Sequence, residues 1–141
     1  MKREDPILLV EDNADDADLI KLALIRAGIH SPIEWLDNGE AALAYLEGTG
    51  AFADRETYPL PCLLLLDLKL TRTSGFNVLK WQKQHPELRK VPTVVLTSSM
   101  DPVDIDKAYE LGAESYLVKP KNFDELVELL RVKATYWRWK V

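Results

Sequence analysis

The run Cys62-Leu63-Leu64-Leu65-Leu66, closed by Asp67, constrains the fold more than any other stretch of this chain. Five near-continuous apolar residues read as a strand buried on both faces of a parallel sheet. Ligands of open α/β sheets bind outside the carboxyl ends of the strands, and Asp67 stands at such an end. A lone Asp there has a second reading, as the cap of the following turn. The other strand ends decide what converges on it.

The chain of 141 residues is the size of one ordinary domain with a real core. Hydrophobic residues make up 47% and charged residues 29%, as in a soluble globular protein. A net charge of −5 argues against a sequence-independent nucleic-acid surface, which needs a basic face. The single Cys62 lies in the apolar run and reads as a buried structural thiol. The segment before Ile7 is too short and too acidic for a signal peptide, and no apolar stretch could span a membrane. The expectation is a soluble, cytoplasmic, single-domain protein, residues 1–141, with no nucleic-acid or membrane partner.

Ile7 to Val10 reads as a strand ending at Glu11-Asp12-Asn13. Asn13 can cap a helix whose first turn holds Asp15, Asp16 and Asp18, where the helix dipole favours negative charge. Leu19, Ile20, Ala23, Leu24 and Ala27 follow at helical spacing, and Gly28 stops them. A weaker strand covers Ile33 to Leu36, then a short helix Ala41 to Glu47. Gly48 to Pro61 has no period and reads as a loop, either a surface insertion or a partner-contacting segment. After the central strand come a helix from Phe76 to Gln84, a strand from Thr93 ending at Thr97, and a helix from Pro102 to Leu111. A strand Ser115 to Val118 ends at Lys119-Pro120, and a last helix from Asn122 to Trp137 turns Phe123, Val127, Leu130, Ala134 and Trp137 inward. Five strands alternating with five helices predict a three-layer α/β sandwich with a parallel sheet and right-handed crossovers.

The carboxyl ends of parallel strands share one edge. Glu11 and Asp12, Asp67, Thr97 and Lys119 therefore become one candidate site. Two like charges about 4 Å apart repel by roughly 4 kcal/mol at an effective dielectric of about 20. A divalent cation relieves this, and a hard oxygen set with few protein ligands suits Mg²⁺. Lys119 can hold an anion as a point charge, and Thr97 offers a hydroxyl. Asp67 is the natural nucleophile, because carboxylates form aspartyl-phosphates, with metal and lysine neutralising the phosphoryl oxygens. The set reads as a phosphoryl acceptor.

In chain order, the pieces are Val10-Glu11-Asp12-Asn13, Leu65-Leu66-Asp67, Gly75, Leu96-Thr97-Ser98, Tyr109-Glu110-Leu111-Gly112-Ala113 and Tyr116-Leu117-Val118-Lys119-Pro120. With them the chain resembles the receiver domain of two-component response regulators over essentially its whole length. The resemblance implies a flavodoxin-like strand order 2-1-3-4-5. It implies that Asp67 accepts phosphate from a sensor histidine kinase. Glu11, Asp12 (more directly) and Asp67, with the backbone carbonyl of Lys69, would hold Mg²⁺. Lys119 would pair with the phosphoryl group, Thr97 would move toward it, and Tyr116 would swing inward behind it. The product is a two-state switch rather than an enzyme, with at most slow self-dephosphorylation.

The chain departs from the family pattern at Thr71, where Pro is common, and at Lys69 and Lys121. The small Ser98 and Ser99 suggest open access. These bear on the hydrolysis rate. The 48–61 loop, His85 to Pro92, and the chain's end after the fifth helix are similar to single-domain regulators serving bacterial phytochrome-type kinases, with no output domain. His30 and His85 read as exposed structural residues, and Trp35 and Trp81 as packing residues. Tyr136, Trp137 and Trp139 cannot all face inward from a final helix, so a homodimer or kinase contact is expected there. An aspartyl-nucleophile phosphatase would want a second Asp where Lys69 stands. A phosphorylation-independent binding module is disfavoured by the intact acidic, Thr and Lys set. A dinucleotide-binding domain would need a Gly-rich turn after the first strand.

Overall fold

The computed structural model describes residues 5–137. Five strands, β1 (Ile7–Val10), β2 (Ile33–Leu36), β3 (Leu63–Leu66), β4 (Thr93–Thr97) and β5 (Ser115–Val118), form one parallel sheet in the order β2-β1-β3-β4-β5. The helices are α1 (Ala14–Arg26), α2 (Gly39–Glu47), α3 (Gly75–Lys83), α4 (Pro102–Glu110) and α5 (Phe123–Trp137). The expected order and the alternation of elements are both found.

The central strand explains the layering. Leu63 and Leu65 pack into one core with Ile20, Leu24, Leu130 and Trp137, on the α1 and α5 side. Leu64 and Leu66 point the other way, into a core with Tyr45, Leu46, Val78, Leu79 and Ala108. All four leucines are fully buried. Each contributes about 1.5–3 kcal/mol by leaving water. A strand that serves two cores cannot slip by one residue without disturbing both.

Side-chain caps begin the helices where turn chemistry suggests. Asn13 accepts from the Asp16 N–H, Asn38 from Ala41, Ser74 from Asn77 and Asp101 from Val103. Asn122 accepts from the Glu125 N–H at the start of α5. Leu19 differs from expectation: it is 47% exposed, and Ala17, Ile20, Ala23 and Leu24 form the buried stripe. Helix α2 starts two residues earlier than expected, because the Asn38 side chain closes the first turn at Ala41. Among the C-terminal aromatics, Trp137 belongs to the core, Tyr136 is exposed, and Trp139 lies outside the described residues.

The 48–61 loop is tied to the body. Its Arg55 guanidinium donates to the carbonyls of Tyr45 and Leu46 at 2.8 and 2.7 Å, satisfying the free end of α2. Phe52 packs on Tyr45 and Tyr58, each at 5.1 Å between ring centroids. On the opposite edge, the buried Gln82 amide donates to the carbonyls of Leu88 and Val91 and accepts from the Thr93 hydroxyl. That network fixes the 84–92 connection against β4. His85 is half-buried and stacks on Trp81, and His30 is exposed.

The loop after β3 is held by close backbone approach. A Cβ on Gly75 would sit 2.2 Å from the Asp67 carbonyl oxygen and 2.8 Å from the Leu68 Cα. The Gly75 N–H donates to the Leu68 carbonyl at 3.0 Å. Gly75→Ala is therefore expected to displace the segment that begins at Asp67 and to cost about 1–3 kcal/mol of stability. Urea unfolding checks it: the midpoint should fall at unchanged slope, and a midpoint equal to the parent's would contradict the contact.

Candidate functional site

The sheet register brings the site together. Val10 aligns with Leu66, so Glu11 and Asp67 leave adjacent strands side by side. The Asp67 N–H donates to the Val10 carbonyl at 3.1 Å, which extends the ladder by one step. Thr97 aligns with Val118, and the Lys119 N–H donates to the Thr97 carbonyl at 2.7 Å. Glu11, Asp12, Asp67, Thr97 and Lys119 thus all close the same edge.

Glu11 and Asp67 are nearly sealed from solvent, at 1% and 7% exposure. Glu11 is also fixed in place. Its carbonyl accepts from the Trp35 indole at 2.7 Å, and its Oε2 accepts from the Asn13 N–H at 3.1 Å. Asp67 Oδ1 accepts from the Lys69 N–H at 3.3 Å. Asp67 therefore caps the turn that follows β3, as one of its two sequence readings expected. Its other oxygen, Oδ2, accepts from Lys119 Nζ at 3.0 Å. Lys119 also donates to Glu11 Oε1 at 2.5 Å.

One oxygen from each of Glu11, Asp12 and Asp67 lies within 4.8 Å of the other two. Three carboxylates against one ammonium leave the cluster short of positive charge. The strain appears in the acidities. Burial, with the Asp67 charge adding to it, pushes the Glu11 carboxyl up to about 7 against the opposing pull of Lys119. Burial alone would lower the Lys119 ammonium; its hydrogen bond to Glu11 and the charges of Asp67 and Glu11 outweigh that and raise it. A hard, all-oxygen, anionic set with one half-buried member fits a divalent cation such as Mg²⁺ or Mn²⁺.

Thr97 is fully buried, and its hydroxyl is the one buried side-chain polar atom without a partner among the described residues. An unmatched buried hydroxyl costs about 1–3 kcal/mol. Tyr116, half-buried, donates its hydroxyl to the Ser99 carbonyl at 3.0 Å. Ser99 donates to Asp104 at 2.6 Å, at the start of α4. Ser98 is exposed, whereas Ser99 is buried and engaged with Asp104.

Two participants escaped sequence reasoning. Asp16, read as part of a solvated first turn with Asp15 and Asp18, places Oδ2 3.3 Å from Lys119 Nζ. It stands in the first turn of α1, three residues after the Asn13 cap, and no spacing in the sequence announces its contact with Lys119. Tyr109 accepts from the Tyr116 N–H at 3.1 Å, taking up an edge-strand donor. No spacing rule announces that contact. Lys69 and Lys121 are exposed, and Lys69 contributes its backbone N–H as described.

The comparisons agree with this geometry. The family described as "Response regulator receiver domain" matches residues 7–131. The probable methanogenesis regulatory protein FilR2 of Methanothrix harundinacea is 42% identical over 142 residues, covering 97% of this chain and 87% of FilR2. Response regulator Rcp1 of Synechocystis is 37% identical over 131 residues, covering 93% of this chain and 87% of Rcp1. Its Mn²⁺-bound crystal structure superposes with a TM-score of 0.83, covering 94% of each chain. The phosphorylated cyanobacterial phytochrome response regulator RcpA superposes with a TM-score of 0.88 at 33% identity, covering 98% of this chain and 96% of RcpA. With its strand order, its acidic edge and its half-buried lysine, the chain belongs to the receiver-domain family of response regulators, whose general properties are phosphorylation on an Asp and binding of a divalent cation.

Proposed function

We propose that Asp67 is the phosphoryl acceptor of this receiver and that a sensor histidine kinase supplies the group. The observation that carries the reading is the Lys119 ammonium, lodged between buried Glu11 and Asp67 at 2.5 and 3.0 Å on the carboxyl edge of the sheet. An Asp67 oxygen attacks phosphorus. The new O–P bond forms as the P–N bond to the kinase histidine breaks, and the imidazole keeps the electron pair. Glu11, Asp12, Asp67 and the Lys69 carbonyl would hold Mg²⁺, which supplies charge neutralisation for the phosphoryl oxygens. Lys119 exchanges its bond to Asp67 for one to a phosphoryl oxygen. Thr97 turns its unmatched hydroxyl to another. Tyr116, already tied to Ser99, reports that movement to α4. The family is a phosphoacceptor switch, and we assign this chain only slow self-dephosphorylation.

A phytochrome-type kinase is the partner we favour, because RcpA, similar along 98% of this chain, is described as a phytochrome response regulator. Such a kinase places the protein in the cytoplasm; no helix among the described residues is long and apolar enough to cross a membrane. We assign self-association to the α4–α5 face. Val132 and Tyr136 on α5 are 49% and 67% exposed, and Val103 and Tyr109 on α4 are 69% and 49% exposed.

Incubation with Mg²⁺ and a small acyl-phosphate donor should give about one base-labile phosphoryl group per chain, absent in Asp67→Asn. Label that persists in Asp67→Asn would move the acceptor elsewhere, and multiple turnover on phosphate esters would indicate a phosphatase. A second outcome follows from linkage. Mg²⁺ at a hundred times its dissociation constant should stabilise the parent by about 2.7 kcal/mol. Asp12→Asn should lose most of that gain in a thermal melt with and without chelator. An equal gain in both would place the cation elsewhere.

A further inference from the structure

An ammonium has three hydrogens and accepts nothing. Around Lys119 they meet Glu11 Oε1 at 2.5 Å, Asp67 Oδ2 at 3.0 Å and Asp16 Oδ2 at 3.3 Å. The first two acceptors stand at strand ends and are nearly closed, with side-chain exposures of 2% and 9%. The third is 45% exposed and stands on α1. Asp16 is not among the three carboxylates whose oxygens converge within 4.8 Å, so its link to the site runs through Lys119. Its backbone is anchored too, because the Asp16 N–H donates to Asn13 Oδ1 at 2.9 Å. Asp15 shares the first turn, and Asp18, expected there too, lies beyond it; both are exposed, yet neither pairs with Lys119 among the described residues.

We propose that Asp16 is a positioning residue for Lys119: it holds the ammonium over Asp67 from the solvent side and releases it to an incoming phosphoryl oxygen. The proposal rests on Asp67 being the acceptor. Two effects of opposite sign follow. Asp16 aligns the ammonium, which favours the transfer step. As an anion sharing the same cation, it also competes with the negatively charged donor. Removal should therefore lower the maximal phosphorylation rate while tightening apparent donor binding. Loss of charge at the helix start without loss of alignment would change donor binding alone. Because the pair is partly exposed, each effect should be modest, roughly two- to five-fold.

The test compares Asp16→Ala and Asp16→Glu with Asp15→Ala and Asp18→Ala, each in the full chain. Phosphorylation by acyl phosphate at saturating Mg²⁺ gives maximal rate and half-saturating concentration separately. Asp16→Ala should lower both, Asp16→Glu should recover the maximal rate, and the other two variants should leave that rate unchanged. A second readout needs no phosphoryl group. In the unphosphorylated protein, the ¹⁵N signal of the Lys119 ammonium should shift and its hydrogens exchange faster in Asp16→Ala, but not in Asp15→Ala or Asp18→Ala. An unchanged Lys119 signal in Asp16→Ala overturns the proposal, as does an equal fall in rate in all three alanine variants. Label surviving in Asp67→Asn would instead overturn the acceptor reading, and the ammonium signal would still decide whether Asp16 holds Lys119.

Discussion

One ammonium among buried carboxylates is the constraint on which the carboxyl edge of this sheet depends. Glu11 and Asp67 are almost out of contact with water. A buried carboxylate without a partner costs several kcal/mol even after the protein relaxes around it. Lys119 is the cation that bridges the two, and it reaches them from the far strand of the sheet. Three carboxylates less one ammonium leave two negative charges uncompensated. Burial and the Asp67 charge push the Glu11 carboxyl up, against the pull of Lys119, the direction expected where negative charge is left unbalanced. A bound divalent cation has the charge that fills this deficit. The same imbalance that makes the edge costly makes it receptive.

Such an edge is tolerable only on a stiff mount. Four fully buried leucines place β3 between two cores, and the Val10–Leu66 alignment sets where Glu11 and Asp67 emerge. This part was legible in the sequence, because a continuous apolar run and strand-end polar residues follow directly from parallel-sheet geometry. The Asn13 cap was legible for a similar reason, since it acts on backbone three residues ahead of itself; Asp101, which caps α4 in the same local way, was not read from the sequence. The contacts that escaped are those between distant segments with no period. Arg55 satisfies the end of α2, Gln82 binds the 84–92 connection, and Tyr109 meets the backbone of Tyr116. Each depends on where a long side chain ends in space. Leu19 was misplaced because the helical period fixes the direction of a stripe more firmly than its width.

Among the five α-helices, α4 is the one least committed to the core. Ala108 is its one buried residue. Its position depends on polar contacts at both ends: Ser99 to Asp104 at the start, and Tyr109 to the Tyr116 backbone near the finish. An element with little buried apolar area opens at low free energy, and polar contacts can be exchanged without creating a cavity. The other helices lack this freedom, since each buries at least four residues.

The unmatched Thr97 hydroxyl gives that freedom a direction. A ligand biases two packings only by its difference in affinity for them. Leaving the buried hydroxyl unsatisfied costs about 1–3 kcal/mol, and a phosphoryl oxygen within reach would remove that cost in one packing only. Each 1.4 kcal/mol is about a factor of ten in population. Under the proposed function, Thr97 alone would supply about one to two powers of ten, and an exchange of Lys119 from carboxylate to phosphoryl oxygen would add to it. A bias of that size would suffice to shift an element held by as little apolar burial as α4. A helix with four leucines facing the core would absorb the same bias without moving.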